Sequence, residues 1–415
     1  MPKLNVNRKS ALLLVVVGVI AAVLLWPKPA RTWHGKTVQE WAREAARIQE
    51  RADKGLELKD AIVICKQLEE VEDAILTFGP EAIPSLLAMM QNRPSAITGK
   101  LCQWGHRFGW DGYLNERYER ESRAGAFGLG VFGPELRGVL PQLTTEFSEP
   151  VNSERVMPLL AGLGKPAMPV FLDALTNSAV RDSAFQGLSW LGTNASSASG
   201  TLRGFLTNSN PVLREKALRA FFYTAKPDAK LLAEITPFLS DRELGVRYTA
   251  CEGLGWVAKE LPPGTPELVM AAAAVAAMQH DPVETVRMFA AQALGRFGAA
   301  AEPQLPTLLE LLNDNHGAVR FQAAQSLAAL KLQLPTVVPA LVERLDDHDA
   351  SVREAVAESL RKLSVEAEKI QPSIVASLGD LGKSRYEHER AWATYYERRE
   401  AKRLERLKSK QEAKK

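Results

Sequence analysis

The chain has 415 residues, of which 52 are Lys or Arg, 49 are Asp or Glu, and 46% are hydrophobic. It is too long to fold around one hydrophobic core, because domains usually hold about 100–200 residues. A repeat array has no such length limit, since each of its units contacts only its neighbours. The near-neutral charge balance excludes a chain that is basic throughout, so nucleic acid is not an expected partner. Three widely spaced cysteines indicate neither a disulfide framework nor a zinc site.

An uncharged apolar run occupies residues 11–26. As a helix it would be about 24 Å long. This length falls between the roughly 20 residues of a full membrane span and the roughly 7–15 of a cleaved signal core. Because no small-x-small cleavage site follows, the run predicts an uncleaved signal anchor, a transmembrane helix, with a cleaved signal peptide as the alternative.

Basic residues on the N-terminal side of this run indicate its orientation. Lys3, Arg8 and Lys9 lie within residues 1–10 and favour a cytoplasmic N-terminal tail, although Lys28 and Arg31 beyond the run weaken that inference. We therefore expect a single-pass membrane protein with residues 27–415 outside the cytoplasm.

A juxtamembrane helix and linker are predicted over residues 27–60. Thr37 and Glu40 have the spacing of a capping box, which marks a helix start. Residues 61–175 then keep a pattern of paired helices without a strict repeat.

An aromatic-rich stretch, residues 92–120, interrupts that region and predicts a loop too long for a repeat turn. Long loops in compact folds tend to be functional. Two interpretations stay open, a flap that closes the irregular end of the array and a partner-binding loop. The candidate binding residues are Trp104, Phe108, Trp110 and Tyr113.

Six arginines that follow Val or Leu recur at a nearly constant interval, at positions 181, 214, 247, 287, 320 and 353. The interval is 33 residues except once, where it is 40 and contains the Pro/Gly-rich stretch 260–267. Residues three and six positions after the arginine are small, apart from Val356, and the seventh is large and apolar. These spacings place them on one helical face, where small residues allow a neighbouring helix to approach closely.

An acidic residue stands six positions before most of these arginines, in a polar turn between two helices. Asp in such a turn can cap the following helix, which contributes about 1 kcal/mol. The arginine would reach along the stack to the acidic turn of an adjacent repeat. We predict a ladder with one rung per repeat, built from Asp241, Arg247, Asp281, Arg287, Asp314, Arg320, Asp347 and Arg353. Asn208 replaces the acid in a weaker repeat, and the turn near Asn177 should lack its rung.

The helix before each turn begins with a Pro-x-Leu pattern, as in residues 165–175, 300–313 and 334–345. Proline is tolerated in a first helical turn, where its missing N–H costs little. Together with the Asp-x5-Arg turn and the small positions, this pattern resembles the HEAT-repeat family. The similarity is to the short bacterial type that also occurs in bilin-lyase-like proteins. The phrase WHGKTVQEW resembles the juxtamembrane segment of membrane-anchored bacterial HEAT proteins.

The resemblance implies an all-α fold, a right-handed α-solenoid of about eight or nine helix-turn-helix repeats. Residues 61–175 would hold degenerate repeats and residues 176–379 regular ones. Residues 380–415 would form a capping helix, in which Trp392, Tyr395 and Tyr396 share one face, followed by a charged tail. The tail, residues 398–415, is basic and is interpreted as solvated, with contact to an anionic surface as the alternative.

Catalytic and metal-binding patterns were sought and rejected. GLGVFG (128–133) follows a helical pattern rather than a strand, so it lacks the context of a dinucleotide site. His280, His316 and His348 lie in or beside repeat turns at unequal offsets from their arginines and would not converge on a metal. Di-iron HEAT-like enzymes use His-Glu pairs on matched helices, and the one such pair here is His388-Glu389.

The sequence thus predicts a membrane-anchored scaffold that binds an unknown protein partner, with no catalytic residues and no cofactor. The alternative implied by the resemblance is a lyase-like enzyme that holds a small ligand or chromophore on its concave face.

Overall fold

The computed structural model describes residues 31–52, 58–91 and 111–378, together with residues 397, 398, 401 and 405. Within these ranges the secondary structure is helical, and the one β-pairing is an isolated bridge between Trp33 and Lys36. No helix among the described residues combines the length and the apolar composition that crossing a membrane requires. The predicted signal anchor, residues 11–26, lies outside them.

A tight turn precedes the first helix. Trp33 and Lys36 exchange backbone hydrogen bonds of 2.9 and 3.1 Å, with His34 and Gly35 at positive φ. Helix α1 (Val38–Ala52) follows, and the predicted capping box is confirmed at its start. The Glu40 carboxylate accepts the Thr37 N–H at 2.7 Å, and the Thr37 hydroxyl accepts the Glu40 N–H at 3.3 Å.

Helix α2 (Leu58–Thr77) packs on α1, and helix α3 (Ile83–Met90) begins the succession of pairs. Helix α4 (Asp111–Phe132) is its partner. The prediction of a loop over residues 92–120 is therefore wrong for residues 111–120, which are helical. This stretch alternates Glu and Arg at helical spacing, as in the pair Glu119–Arg123 at 3.1 Å, and such pairs stabilise a helix.

Eight helix pairs follow one another between residues 83 and 362 of the described chain, in line with the expected eight or nine repeats. After α3 and α4 they are α5 (Leu140–Phe147) with α6 (Pro150–Gly162), α7 (Met168–Ala174) with α8 (Arg181–Leu191), α9 (Ser199–Phe205) with α10 (Pro211–Thr224), α11 (Ala229–Ile235) with α12 (Leu244–Glu260), α13 (Pro266–Ala276) with α14 (Glu284–Leu294), α15 (Leu305–Leu311) with α16 (Gly317–Leu330), and α17 (Leu334–Glu343) with α18 (Ala350–Lys362). Short helices α19 (Ser364–Ile370) and α20 (Ile374–Ser377) end the array.

The second helices of successive pairs pack on one another and form a continuous row. The first helices begin where the prolines predict: Pro169, Pro306 and Pro335 each lie in the first turn of their helix. A 3-10 turn precedes several of these helices, for example Gly298–Gln304 before α15. The array is therefore all-α, whereas its right-handed sense stays a prediction.

The core lies between the two rows, where the aligned small and large positions are buried as predicted. Ala250 and Leu254 on α12 have no exposed surface, and their equivalents in the other five repeats are at most 3% exposed. Gly253 shows why size matters, because a Cβ atom there would lie 2.6 Å from the Phe222 ring. Gly187 on α8, two pairs earlier, comes equally close to Phe171 of α7.

Candidate interaction surface

Four of the repeat arginines bind the aspartate of the following repeat through two parallel hydrogen bonds, and these pairs form the ladder. The two distances are 3.1 and 2.8 Å for Arg214–Asp241, 2.7 and 3.1 Å for Arg247–Asp281, 2.7 and 2.9 Å for Arg287–Asp314, and 2.8 and 2.7 Å for Arg320–Asp347. This fork-to-carboxylate geometry is the strong, directional form of an ion pair. The structure thus brings together the residues that sequence spacing placed 27 or 34 positions apart.

Each ladder arginine also binds its own turn. Arg320 donates from its third guanidinium nitrogen to the Asp314 carbonyl oxygen at 2.8 Å, six residues back. Arg247 makes the equivalent bond to Asp241 at 3.0 Å. One side chain therefore fixes the turn from which it comes and the turn of the next repeat.

The aspartates act differently from the predicted helix cap. The Asp347 carboxylate accepts the backbone N–H of Asp349 at 2.9 Å, two residues on. Asp349 is the residue that directly precedes α18, and its own side chain accepts the Ser351 N–H. The ladder aspartate closes the turn ahead of the helix, because it stands two residues before the N-cap residue and its carboxylate accepts the N–H of that residue. The expectation that it caps the helix itself is corrected accordingly.

The two ends of the ladder lack a carboxylate. Arg181 donates to the carbonyl oxygens of Leu175 and Thr176 in its own turn, where the shorter turn provides no aspartate. Arg353 donates to the Asp347 carbonyl at 2.7 Å, and no acid of the described residues forms a rung with it. Asn208 accepts from Asn210 N–H as the aspartates do, so asparagine closes the turn but receives no arginine from α8.

Burial increases along the ladder. The exposed side-chain fractions fall from 16% and 14% for Arg214 and Asp241 to 4% and 2% for Arg320 and Asp347. The hydrogen bonds from Arg320 hold the pKa of Asp347 below its usual range, and the hydrogen bond from the Asp349 N–H lowers it further. Burial acts in the opposite direction but is outweighed. For Asp241, burial raises the pKa, but the hydrogen bonds from Arg214 and the Glu243 N–H outweigh it and the net shift is downward.

Two of the three turn histidines lie against ladder arginines. His316 Nδ1 lies 3.2 Å from Arg287, and His348 Nε2 lies 3.1 Å from Arg320. His280 contacts the neighbouring Gln279. Among the described residues, no group of three His, Cys, Asp or Glu side chains is placed to hold a metal ion.

A second surface, which the sequence reasoning missed, lies on the row of second helices. Its residues stand one, five and nine positions after each repeat arginine, a spacing that puts them on one side of a helix. We call this the second-helix face. From α8 to α18 its members are Asp182, Gln186, Trp190, Glu215, Arg219, Tyr223, Tyr248, Glu252, Trp256, Met288, Gln292, Arg296, Phe321, Gln325, Ala329, Glu354 and Lys362. Glu358, at the remaining position on α18, is buried.

Helices α10 and α12 carry the most connected part of this face. The Tyr223 hydroxyl donates to the Glu252 carboxylate at 3.1 Å, and the Tyr248 hydroxyl donates to Glu215 at 2.7 Å. Arg219 lies between the two acids, 3.3 Å from Glu252 and 3.7 Å from Glu215. Burial and the adjacent Glu252 raise the pKa of Tyr223 to about 12, so its hydroxyl remains a donor at neutral pH.

Aromatic rings extend the face on both sides of this network. The Tyr248 ring stacks on Phe289 at 5.0 Å, and Tyr223 meets Trp256 edge-on at 5.4 Å. Trp190, at the equivalent position on α8, is 58% exposed. The Arg219 Nε–H is buried without a hydrogen-bond partner. The arrangement offers aromatic surface and oriented charge together, which is the composition of protein-binding hot spots.

The predicted aromatic loop contributes nothing that can be placed on this surface. Trp104, Phe108 and Trp110 lie outside the described residues, and Tyr113 falls on α4 without a described side chain. The sequence signal for the second-helix face was weak, because the residues at these aligned positions differ in chemistry from repeat to repeat.

Comparison with known proteins identifies the repeats. Residues 271–361 match the family model described as HEAT repeats. No curated protein matches the sequence significantly. Solved structures similar to the chain include the karyopherin Kap121p (TM-score 0.48, 15% identity, 87% of this chain and 45% of that one) and the same protein bound to Nup53p (TM-score 0.47, 15%, 87% and 45%). Human deoxyhypusine hydroxylase in complex with glycerol is also similar (TM-score 0.28, 19% identity, 68% of this chain and 96% of that one).

The chain spans less than half the length of the karyopherin structures that it matches. Likenesses at these identities and TM-scores say nothing about partners or activity.

Proposed function

We propose that the chain, whose residues 271–361 match the HEAT-repeat family model, is a membrane-anchored scaffold that binds another protein on its second-helix face. The observation that carries the proposal is the row of aromatic side chains Trp190, Tyr223 and Trp256 at one register of three successive second helices. Buried or half-buried Trp, Tyr and Arg supply most of the binding energy in protein interfaces. A face of leucine side chains without these groups would instead favour packing against another helix of the array.

Charge on this face supports selectivity. Glu215 and Glu252 are held by tyrosine hydroxyls and by Arg219, so their orientations are fixed before a partner arrives. Fixed polar groups lower the entropy that binding must offset. A partner segment with aromatic or aliphatic side chains and an adjacent basic group fits this combination.

The membrane anchor is the second part of the proposal. Its support is the apolar run of residues 11–26 with basic residues before it. Residues 27–415, and with them the repeats, would then lie outside the cytoplasm. Fusing a reporter that is active on only one side of the membrane after residue 60 tests this orientation, and a reporter active in the cytoplasm would reverse it.

Site-specific photocrosslinking in native membranes tests the binding face. We expect a crosslinker at Trp190 or Trp256 to capture one stoichiometric protein. A crosslinker at Met270, which is 70% exposed on the first helix α13, is the matched control and should capture none. Equal capture from both faces would contradict the assignment.

The alternative of a small ligand or chromophore on the concave face uses the same array and leads to a different outcome. The crosslinkers would then capture no protein, and the purified chain would carry colour or a ligand detectable by native mass spectrometry.

A further inference from the structure

Helix α2 concentrates negative charge in its second half. Glu69, Glu70, Glu72 and Asp73 lie within five residues. Glu69 and Asp73 are four positions apart and therefore neighbours on one helical face, where like charges destabilise a helix by about 0.2–0.5 kcal/mol. Glu70 is exposed beside them. Such a surface is complementary in charge to a basic segment.

A basic residue from the far end of the chain is present at this surface. The Arg398 guanidinium lies 3.8 Å from the Glu69 carboxylate. Residues 397, 398, 401 and 405 are the described part of the C-terminal segment, and all four are helical and exposed. The contact joins positions 329 residues apart, between the first helices of the array and the segment that follows its last repeat.

This placement differs from the two expectations for the tail. A solvated tail would contact no repeat, and a cap would lie on the last repeat, beside α19 and α20. Leu378 is the last residue of the continuous described chain, and nineteen residues lie between it and Arg398. They span at most about 70 Å. The two ends of the array are therefore within reach of one short segment.

We propose that the acidic face of α2, formed by Glu69, Glu70 and Asp73, is the docking site for this chain's own basic C-terminal segment, residues 398–415. That segment holds nine basic and three acidic residues, so its charge complements the face. Docking joins the first and last repeats of the array. It also holds the tail away from any other anionic surface, so tail contact with a membrane requires release from α2.

The strength of docking comes from several weak contacts and from tethering. The Arg398–Glu69 pair is exposed, with side-chain fractions of 66% and 22%, and exposed pairs contribute only about 0–1 kcal/mol each. A tethered segment nevertheless has an effective concentration in the millimolar range, which makes weak contacts sufficient. Because all of these contacts are near solvent, docking must be sensitive to salt.

Distance measurement on the full-length chain tests this. Spin labels are placed at Val63→Cys, an exposed position on α2, and at Ala401→Cys, with Cys102→Ser in the background. Native Cys65 and Cys251 are buried and react poorly, since burial raises the pKa of both thiols. Docking predicts a narrow, short distance at about 10 mM salt that broadens and lengthens at about 1 M, where the Debye length is about 3 Å.

Charge reversal distinguishes docking from chance proximity. We expect the combined variant Glu69→Lys/Glu70→Lys/Asp73→Lys to lose the short distance even at low salt. The matched control reverses three exposed acids elsewhere, Glu260, Glu302 and Glu354, and should keep it. Arg398→Glu should weaken docking and Glu69→Arg should partly restore it.

Three outcomes would overturn the proposal. The triple-lysine variant could retain the short distance, so that charge does not hold the tail. Tenfold dilution with unlabelled protein could remove the dipolar signal, so that the tail belongs to a second copy. The tail could be unconstrained at low salt and become ordered only on adding phosphatidylserine vesicles, so that the lipid surface, and not α2, is its partner.

Discussion

Arg320→Ala is the sharpest test of how the repeats are held together. The substitution removes both hydrogen bonds to Asp347 and the bonds to the Asp314 and Asn315 carbonyl oxygens. The Asp347 carboxylate, which is 2% exposed in the unaltered protein, keeps the Asp349 N–H at 2.9 Å and has the His348 ring at 3.5 Å. Removing one partner of a buried ion pair costs about 3–5 kcal/mol, mainly because the other charge is left unpaired. The retained N–H bond places the expected loss near the lower limit, about 3 kcal/mol.

The neighbouring hydrophobic contacts remain, so the fold should survive. With an unfolding entropy of about 2 cal/mol/K per residue, a loss of about 3 kcal/mol lowers the melting temperature by about 4 °C if some 350 residues unfold together. The shift is larger if the C-terminal repeats unfold as a smaller unit, since repeat arrays do not always unfold in one step.

Circular dichroism melting of the full-length protein in mild detergent gives the overall shift, and amide hydrogen exchange places it. We expect faster exchange in α16 and α18 and unchanged exchange in α10. Arg214→Ala is the matched control, because it removes the same set of bonds from a more exposed pair and should cost about 1–2 kcal/mol. A double-mutant cycle with Asp347→Ala should give a coupling of about 2 kcal/mol.

A melting temperature within about 1 °C of the unaltered protein would refute this reasoning. So would an equal loss for Arg320→Ala and Arg214→Ala, because burial would then not decide the strength of a rung.

Three further expectations concern acid, packing and thiol reactivity. The pKa of Asp347 and of the other ladder aspartates is lowered in the folded protein. The stability that this provides is fully present above the pKa of an unfolded aspartate, near 4, and is lost as the pH falls through the folded pKa. In urea titrations, Asp347→Asn should therefore be less stable than the unaltered protein at pH 7, and the two free energies of unfolding should converge in acid. Gly253→Ala should lower the free energy of unfolding by about 1–3 kcal/mol, because its Cβ would lie 2.6 Å from Phe222. The control Gly200→Ala, in a helix with open space around it, should be neutral or stabilising. Equal denaturant midpoints for the two variants would contradict the packing argument. Burial raises the pKa of the Cys251 thiol to about 12, so a thiol reagent should modify Cys251 only on unfolding, and rapid modification of the native protein would show that the core around α12 is open.

The fold and the ladder were predictable because both depend on repetition. A pattern that recurs about every 33 residues places the same residue at the same point of each unit, so one interpretation of the Asp-x5-Arg turn applies to the four repeats that carry it. The sequence predicted that each arginine reaches the turn of an adjacent repeat, and the structure shows that this is the turn of the following repeat. The predicted capping role was wrong because the N-cap residue lies two positions after the ladder aspartate, and the exact start of a helix is the part of an element that a sequence pattern defines least well.

The second-helix face was less accessible to sequence reasoning. Its members differ in chemistry from repeat to repeat, as Trp190, Tyr223, Trp256 and Arg296 show at one aligned position. Periodicity identifies the positions at which the same residue type recurs. It does not identify the positions at which the residue type varies, although these are the positions that select a partner. The last ten residues of the predicted aromatic loop were misassigned for a related reason, because aromatic content was weighed above the Glu/Arg spacing that favours a helix.

The sequence by itself determined that the chain is an array of helix pairs, which residues face the core, and which arginine follows which aspartate. These are local properties, set by periods of 3.6 and about 33 residues. Only the tertiary structure decided which carboxylate each arginine binds, how deeply each rung is buried, and that Tyr223, Glu252 and Arg219 form one network. It also placed Arg398 beside Glu69, a contact between the two ends of the array. No local pattern determines such a contact, because it depends on the curvature that accumulates over all the intervening repeats.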